Sequence, residues 1–197
     1  MDYLYTIGYS CFTIGNFIDV LKKHGISALV DVRSQPYSKY KPEFNKDNLK
    51  LEFNNSGIEY VFLGKELGAR TDEPECKING KVSYDRLAEH EAFKNGLCRI
   101  KKGMKKFQVA LMCAEKDPIT CHRTILISKN IKSENIVIQH ILADGNLEEH
   151  SLSEIRLMNL YGLEQQDLFS SFEDRLTKAY DKQANIIAYA GEIVAEQ

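Results

Sequence analysis

The stretch from Val109 to Ile127 constrains the fold more than any other part of the chain. It opens with the apolar run Val109-Ala-Leu-Met-Cys113, passes through a charged turn, and resumes at Cys121-His122-Arg123 with a second apolar segment. This order is typical of a strand, a loop and the beginning of a helix. In open α/β sheets, ligands bind at such junctions, at the carboxyl ends of the strands. The sequence therefore predicts a ligand site here.

Short apolar segments elsewhere predict a sheet around this junction. Strands are predicted over residues 3–7, 28–32, 58–62, 107–112 and 135–142, with helical patterns between them and loops over 34–45 and 64–82. Strands that alternate with helices imply right-handed βαβ units. We therefore expect an α/β fold with a mostly parallel open sheet of about five strands. Flanking helices would complete a Rossmann-like three-layer arrangement, followed by C-terminal helices.

The chain changes character near residue 150. Residues 1–150 carry the strand–helix alternation and are predicted to form the α/β domain, whereas residues 151–197 are acidic and helical in pattern. The predicted helix from Phe172 to Val194 is amphipathic, and it could pack on the same domain or on a second subunit. We expect a C-terminal helical extension packed on the same domain, with a homo-oligomer left open.

Composition excludes several classes of protein. The formal net charge of −2 argues against a general polyanion binder, and no apolar run reaches the roughly 20 residues of a membrane span. The five cysteines are odd in number and irregularly spaced, so reduced thiols in the cytoplasm are expected. One basic run, residues 94–106, contains six bases and no acid, and a solvated helix face is its simplest interpretation.

The central junction carries the strongest chemical signal. Thr120 is a predicted N-cap, which would place Cys121 in the first helical turn, where the macrodipole favours a thiolate. His122 and Arg123 would supply donors and positive charge, and Cys113 and Glu115 lie across the turn. Alternatively, the cysteines are small buried hydrophobes and Arg123 pairs with Glu115.

A metal is a competing use of the same junction. Cys113, Cys121 and His122 could give three zinc ligands, with His140 or Glu115 as a fourth. Against this, no Cys-x-x-Cys occurs and neighbouring residues at a helix start rarely point at one ion. We therefore predict no cofactor, and zinc or another divalent metal remains the alternative.

Two further motifs follow predicted strands. Asp31-Val-Arg33-Ser-Gln-Pro36-Tyr-Ser38 places a carboxylate at the end of a buried strand, where it needs a partner such as Arg33. Arg33 and Ser38 could cradle a phosphate or carboxylate, or the ion pair could simply pin the loop. Gly8, Tyr9 and Ser10 would permit close approach of a ligand. The remaining candidates for substrate binding are Glu66, Gly68 and His140.

These motifs resemble those of the domain of unknown function 488 family. The resemblance rests on residues 6–10, 31–38, 66–68, 111–115, 121–123 and 140–145, in the family's order. It implies an α/β domain with the site at this edge, and no particular reaction. The family usually has histidine where this chain has Tyr9, and glycine where it has Ala69. A looser likeness of layout links the chain to rhodanese-like proteins, with Cys113 at the place of their nucleophile.

Taken together, the motifs predict an enzyme acting on a small anionic substrate, either phosphate-bearing or nucleotide-like. Cys113 or Cys121 would be the nucleophile, His122 or Glu115 the proton carrier, and Arg33 and Arg123 the anion clamp. The alternatives are a ligand- or nucleic-acid-binding module with a structural Cys-His-Arg cluster, and a thiol redox or metal site. A membrane partner is not expected.

Overall fold

The computed structural model describes residues 1–165 and 169–190. Eight strands are present in this part of the chain: β1 (Asp2–Gly8), β2 (Ala28–Asp31), β3 (Glu59–Phe62), β4 (Lys77–Ile78), β5 (Lys81–Val82), β6 (Val109–Cys113), β7 (Ile136–Ile141) and β8 (Leu147–Glu149). Six of them form one sheet in the order β3-β2-β6-β1-β7-β8, and β4 and β5 form a separate hairpin.

The sheet confirms the predicted fold class. All pairs from β3 across to β7 are parallel, and only β8 runs antiparallel, beside β7. This edge strand was missed because three residues, two of them acidic, show no alternation of apolar and polar side chains. The chain reaches β8 through a tight turn in which Gly145 has a φ of 76°, a conformation that glycine adopts without strain.

The helices cover both faces of the sheet. They are α1 (Ile14–Lys23), α2 (Lys46–Ser56), α3 (Gly64–Leu67), α4 (Tyr84–Glu89), α5 (Glu91–Met104), α6 (Lys129–Ile131), α7 (His150–Leu160) and α8 (Phe172–Ile187). One apolar core places α1 and α2 on one face, through residues such as Phe17 and Phe53. A second core joins α5, α7 and α8 to the other face. The result is the predicted three-layer arrangement.

One prediction about the middle of the chain needs correction. Residues 64–82 are not an irregular loop, because they contain α3 and the β4–β5 hairpin. The helical region that follows is divided at His90, whose imidazole caps α5 by accepting the Ala92 amide at 3.3 Å. Gly96 allows close packing, since a Cβ there would lie 2.7 Å from the side chain of Leu67.

The C-terminal part contains two of the predicted helices. The last helix of the described chain ends at Ile187, and residues 191–194 of the predicted helix lie outside the described residues. The capping box between Ser171 and Asp174 fixes where α8 begins. Within residues 1–165 and 169–190, no helix combines the length and the apolar character needed to cross a membrane.

Candidate functional site

The carboxyl ends of β1, β2 and β6 open into a cavity of about 280 Å³. Because the three strands are adjacent and parallel, the loops that follow them meet at one edge of the sheet. Five of the residues predicted for the site line this cavity: Tyr9, Arg33, Cys113, Glu115 and His122. These residues come from three separate motifs, which the fold brings together.

The helix after β6 begins differently from the prediction. Thr120 is the last residue of a short 3₁₀ turn capped by Asp117, so it is not the N-cap of the following helix. Cys121 has extended backbone angles and its carbonyl accepts the amides of Thr124 and Ile125. Its sulfur accepts the Arg123 amide at 3.5 Å. Cys121 therefore caps this helix start through its sulfur and carbonyl, with His122 between it and a π-helical segment, Arg123–Ser128.

Two thiols and an imidazole converge at this helix start. The Cys113 sulfur lies 3.5 Å from His122 Nδ1, and the Cys121 sulfur lies 3.9 Å from the same nitrogen. The Cys113 sulfur is also 3.2 Å from Glu115 Oε2. All three residues of the cysteine–histidine cluster, Cys113, Cys121 and His122, are buried, and Cys113 and His122 reach the cavity.

The tautomer of His122 follows from its other nitrogen. His122 Nε2 lies 3.1 Å from the carbonyl oxygen of Val32, and because a carbonyl can only accept, Nε2 must donate its proton there. In the neutral ring Nδ1 is then unprotonated and can accept a proton from a thiol. A base oriented by a third group in this way is the arrangement that activates a nucleophile.

The electrostatics of the cluster favour one thiolate. Burial raises the pKa of Cys121, but the hydrogen bond from Cys113, the charge of Arg123 and the His122 ring together lower that pKa well below its usual value. The same hydrogen bond, with burial, raises the pKa of Cys113. Burial lowers the pKa of His122, yet the bond to Cys121 raises it overall. The negative charge of the pair is therefore favoured on Cys121, and the proton on Cys113.

Glu115 adds a second proton acceptor at the mouth of the cluster. Burial of its carboxylate and the neighbouring charge of Cys121 raise the pKa of Glu115. The residue as a whole is exposed, so the carboxylate lies between the sulfurs and solvent. Glu115 can therefore accept the proton of the Cys113 thiol, 3.2 Å away.

Arg33 is held at the cavity by a buried ion pair with Asp31. The guanidinium donates from Nε and Nη2 to the two carboxylate oxygens at 2.9 and 2.6 Å, and Tyr60 donates its hydroxyl to the same carboxylate at 2.7 Å. The guanidinium also lies over the Tyr9 ring, 4.9 Å from its centroid. Arg33 Nη1, however, is buried without a hydrogen-bond partner among residues 1–165 and 169–190.

Arg123 does not line the cavity. Its side chain is fully buried, with Nε donating to the Thr6 hydroxyl at 3.3 Å and Nη1 to the Glu115 carbonyl at 2.6 Å. The remaining Nη2 donates to the carbonyl of Lys116 at 3.4 Å. The two arginines of the predicted anion clamp therefore have different roles. Arg33 lines the cavity, whereas Arg123 holds the backbone of the loop after β6.

The residues after β1 extend the sheet rather than contact a ligand. The amides of Tyr9 and Ser10 donate to the carbonyls of Cys113 and Ala114. A Cβ on Gly8 would lie 1.8 Å from the Glu115 carbonyl oxygen. Gly8 is thus needed because the loop after β6 crosses it, and only Tyr9 of this motif reaches the cavity.

Five other predicted residues lie away from the cavity lining. The Pro36 carbonyl and the Ser38 hydroxyl accept backbone amides and shape the loop before α2. Glu66 pairs with Arg99, and Gly68 lies where a Cβ would be 2.3 Å from the Ser34 hydroxyl oxygen. His140 is buried in the core, where it bonds to Thr6 and to His150.

Sequence reasoning also missed part of the wall. Arg70 and Tyr84 line the cavity, as do Ile187 and Tyr189 from the C-terminal segment. Arg70 lies two residues after the 66–68 motif, so its place was accessible from the sequence. Tyr189 carried no such signal, since it lies far along the chain and arrives only through the packing of α8.

The basic run lies elsewhere. Its six basic residues are all exposed on α5 and the turn after it, and none lines the cavity. Lys94 pairs with Glu89, and Arg99 with Glu66. This placement agrees with a solvated helix face, and the nucleic-acid-binding alternative stays a prediction.

Fold and site together define a class: an α/β protein with a parallel sheet and a cysteine–histidine cluster at the carboxyl edge. The family model described as "Domain of unknown function DUF488" matches residues 13–129, more than half of the chain. The chain belongs to this family, as the resemblance predicted. Residues 6–10 and 140–145, which also carried the resemblance, lie outside the matched range. No curated protein and no solved structure matches the chain, and the likeness to rhodanese-like proteins stays a prediction.

Proposed function

We propose that the protein is an enzyme that acts on a small anionic substrate, with the cysteine–histidine cluster as its reactive group. The observation that carries the proposal is the unpartnered Nη1 of Arg33, a residue that lines the cavity together with Cys113 and His122. A buried donor without a partner costs roughly 1–3 kcal/mol. An anionic group of a substrate would remove that cost and would lie beside the thiols.

The cluster supports covalent chemistry at Cys113. Its sulfur would attack an electrophilic centre of the substrate and form a sulfur–substrate bond, while the thiol proton passes to Glu115 at 3.2 Å. The bond to the leaving group would break as that group takes the proton of the His122 imidazolium. Cys121 would act through its charge, since its bond to His122 raises the pKa of the imidazole and Cys121 does not line the cavity.

Alkylation of the thiols against pH tests the nucleophile. Iodoacetamide followed by mass spectrometry should modify Cys113 at pH 6, because Glu115 Oε2 lies 3.2 Å from its sulfur and can take the thiol proton as the sulfur reacts. Inorganic phosphate should protect it, and Arg33→Lys should remove the protection. Cys98, exposed on α5 and outside the cavity lining, is the internal control. Equal reaction of Cys113 and Cys98 at pH 6 would contradict the proposal.

A second candidate, a divalent-metal centre, is favoured by one specific observation. The sulfurs of Cys113 and Cys121 and one nitrogen of His122 all lie within 4.8 Å of one another. Thiolate and imidazole are preferred zinc ligands, and three protein ligands leave a position open for a water or substrate. The bond from His122 Nε2 to the Val32 carbonyl resembles the outer contact that orients a metal-bound histidine. Glu115 could serve as a fourth ligand.

Metal content separates the two candidates. The protein would be purified under reducing conditions and its metals measured by mass spectrometry, beside the Cys121→Ser and Cys98→Ser variants. A metal centre predicts about one equivalent in the wild type and in Cys98→Ser, and loss in Cys121→Ser. Less than a tenth of an equivalent in the wild type, even after incubation with zinc, would eliminate the metal centre and leave the thiolate.

A further inference from the structure

A second arginine reaches the same cavity from a different element. Arg70 follows α3 and lines the cavity opposite the strand ends, together with Arg33 and His122. Arg33 is neutralised by Asp31, but among the described residues no carboxylate lies within 4.0 Å of the Arg70 guanidinium. Arg70 is therefore a cation on the wall that has no carboxylate partner among residues 1–165 and 169–190.

The Arg70 side chain is fixed although it is exposed. Nη1 donates to Gln35 Oε1 at 3.0 Å, and the guanidinium carbon lies 4.8 Å from the centroid of the Tyr189 ring. The backbone amide of Arg70 also donates to the Ser34 hydroxyl at 2.9 Å. Ordering a long arginine side chain costs up to roughly 2 kcal/mol of conformational entropy. These contacts offset that cost in advance and leave the Nε and Nη2 donors for a ligand.

The C-terminal segment supplies the aromatic support. The Tyr189 carbonyl accepts the Val82 amide at 3.0 Å, and Ala190 forms a β-bridge with Lys81. The segment after α8 is thus held against the β4–β5 hairpin, which places Tyr189 under Arg70. Ile187 of the same segment lines the cavity.

The backbone of the segment before Arg70 packs closely against the loop that carries Arg33. A Cβ on Gly64 would lie 1.9 Å from the Arg33 carbonyl oxygen, and a Cβ on Gly68 would lie 2.8 Å from Ser34 Cα. Two such close approaches fix the relative position of both loops. The backbone positions from which Arg33 and Arg70 project are therefore set by the fold.

We propose that the substrate carries two anionic groups separated by a short spacer, one bound by Arg33 and the other by Arg70, and that Tyr189 is a positioning residue for the second. This inference rests on the proposed function, because it assumes the anion site at Arg33. Its chemistry defines the ligand class: short diphosphates, phosphorylated carboxylic acids or dicarboxylates. A fixed second cation would discriminate against molecules that have a single anionic group.

Calorimetric titration with paired probes tests the inference. Pyrophosphate is compared with orthophosphate, and malonate with acetate, at constant ionic strength. In at least one pair, the wild type should bind the probe with two anionic groups at least tenfold more tightly. Arg70→Gln should abolish this preference without changing the affinity for the smaller probe. Tyr189→Ala should reduce the preference several-fold, whereas Tyr189→Phe, which keeps the ring, should retain it.

The controls separate this inference from the proposed function. Lys102→Gln removes the same charge from an exposed position on α5 and should change neither affinity. One outcome would overturn the role of Arg70 alone. In it, orthophosphate or acetate binds and Arg33→Lys weakens that binding, but neither pair of probes shows a preference. The anion site at Arg33 would then stand. An unchanged preference in Arg70→Gln also overturns the inference. If no probe binds the wild type, both the anion site and the inference fail.

Discussion

Two buried arginines at one edge of the sheet differ in how completely they are hydrogen-bonded. Arg123 is fully buried, and its Nε, Nη1 and Nη2 all donate, to Thr6 and to the carbonyls of Glu115 and Lys116. Arg33 is almost as buried, yet its Nη1 has no partner within the described part of the chain. Burial of an arginine therefore does not distinguish a structural role from a binding role. A buried donor without a hydrogen-bond partner does distinguish them.

The regions behind the two arginines differ in the same way. Behind Arg123, Thr6 bonds to His140 at 2.7 Å, His140 to His150 at 3.0 Å, and His150 to Tyr180 at 3.2 Å. Each of these groups finds a partner, so the chain ties the sheet to α7 and α8 as a closed network. Arg33 instead faces a cavity. A closed polar network stabilises the fold, whereas an open one provides a place for a ligand.

The largest expected effect is the loss of stability when the hydrogen bonds of Arg123 are removed. Arg123→Gln removes three hydrogen bonds from a charged donor and leaves two loop carbonyls unpaired. Since hydrogen bonds to charged groups contribute about 1.5–3 kcal/mol each, we expect the free energy of unfolding to fall by about 3 kcal/mol or more. Urea denaturation followed by circular dichroism measures this loss.

The matched variant is Arg33→Lys, which keeps a positive charge beside Asp31. It should lower the free energy of unfolding by less than Arg123→Gln does, while weakening orthophosphate binding at least tenfold. Equal destabilisation by the two variants, with anion binding unchanged, would remove the distinction between the two arginines.

A smaller loss in the free energy of unfolding is expected where the loop after β6 crosses β1 at Gly8. Gly8→Ala would bring a Cβ against the Glu115 carbonyl oxygen, at 1.8 Å in the unrelaxed backbone. The loop must move, and overpacking of this kind costs about 1–3 kcal/mol. Thermal and urea unfolding give the magnitude. The Arg123 bond to that carbonyl should weaken as well, so Gly8→Ala and Arg123→Gln should be less than additive.

Gly15→Ala provides the control. Gly15 lies in the first turn of α1 with no atom within 4 Å of an added Cβ, and alanine favours helix over glycine by up to about 1 kcal/mol. This variant should therefore be neutral or stabilising. If both glycine variants lose the same stability, the close approach at Gly8 is not what constrains the loop.

The sheet could be predicted because its strands are short apolar runs between helical patterns. The clustering of Tyr9, Arg33 and Cys113 followed from the same pattern, since the ends of adjacent parallel strands meet. The opposite roles of Arg33 and Arg123 could not be predicted in this way. Arg33 ends one apolar segment and Arg123 begins another, both beside polar residues, and only the three-dimensional hydrogen bonding separates them.

Contacts between segments that lie far apart along the chain could not be predicted from the sequence, for a related reason. Tyr189 reaches the cavity only because α8 packs on α7 and on the helical segment after Cys121, and because the β4–β5 hairpin binds the segment that follows. No local pattern encodes either event. Likewise Cys121 caps its helix, although Thr120 is the better capping residue by type, because the 3₁₀ turn at Pro118–Thr120 delays the helix start.

The last expected effect is a change in the free energy of unfolding with pH. It concerns two histidines whose pKa values shift in opposite directions. Burial lowers the pKa of His150 from 6.5 to about 4, whereas the bond to Cys121 raises that of His122 above its usual value. The unfolded chain binds a proton at His150 below pH 6.5 and the folded chain does not. The stability that neutral His150 provides is thus complete above pH 6.5 and falls as the pH drops toward 4.

His150→Gln should flatten this acid dependence. Between pH 6.5 and 4, the free energy of unfolding of the wild type should fall more steeply than that of the variant, by about 1 kcal/mol per pH unit. Comparing slopes rather than absolute stabilities cancels the constant loss of the bonds to His140 and Tyr180. Parallel curves for the two proteins would mean that His150 takes up its proton in the folded state. The polar chain behind Arg123 would then be open to protons, and the contrast with the Arg33 side would not hold.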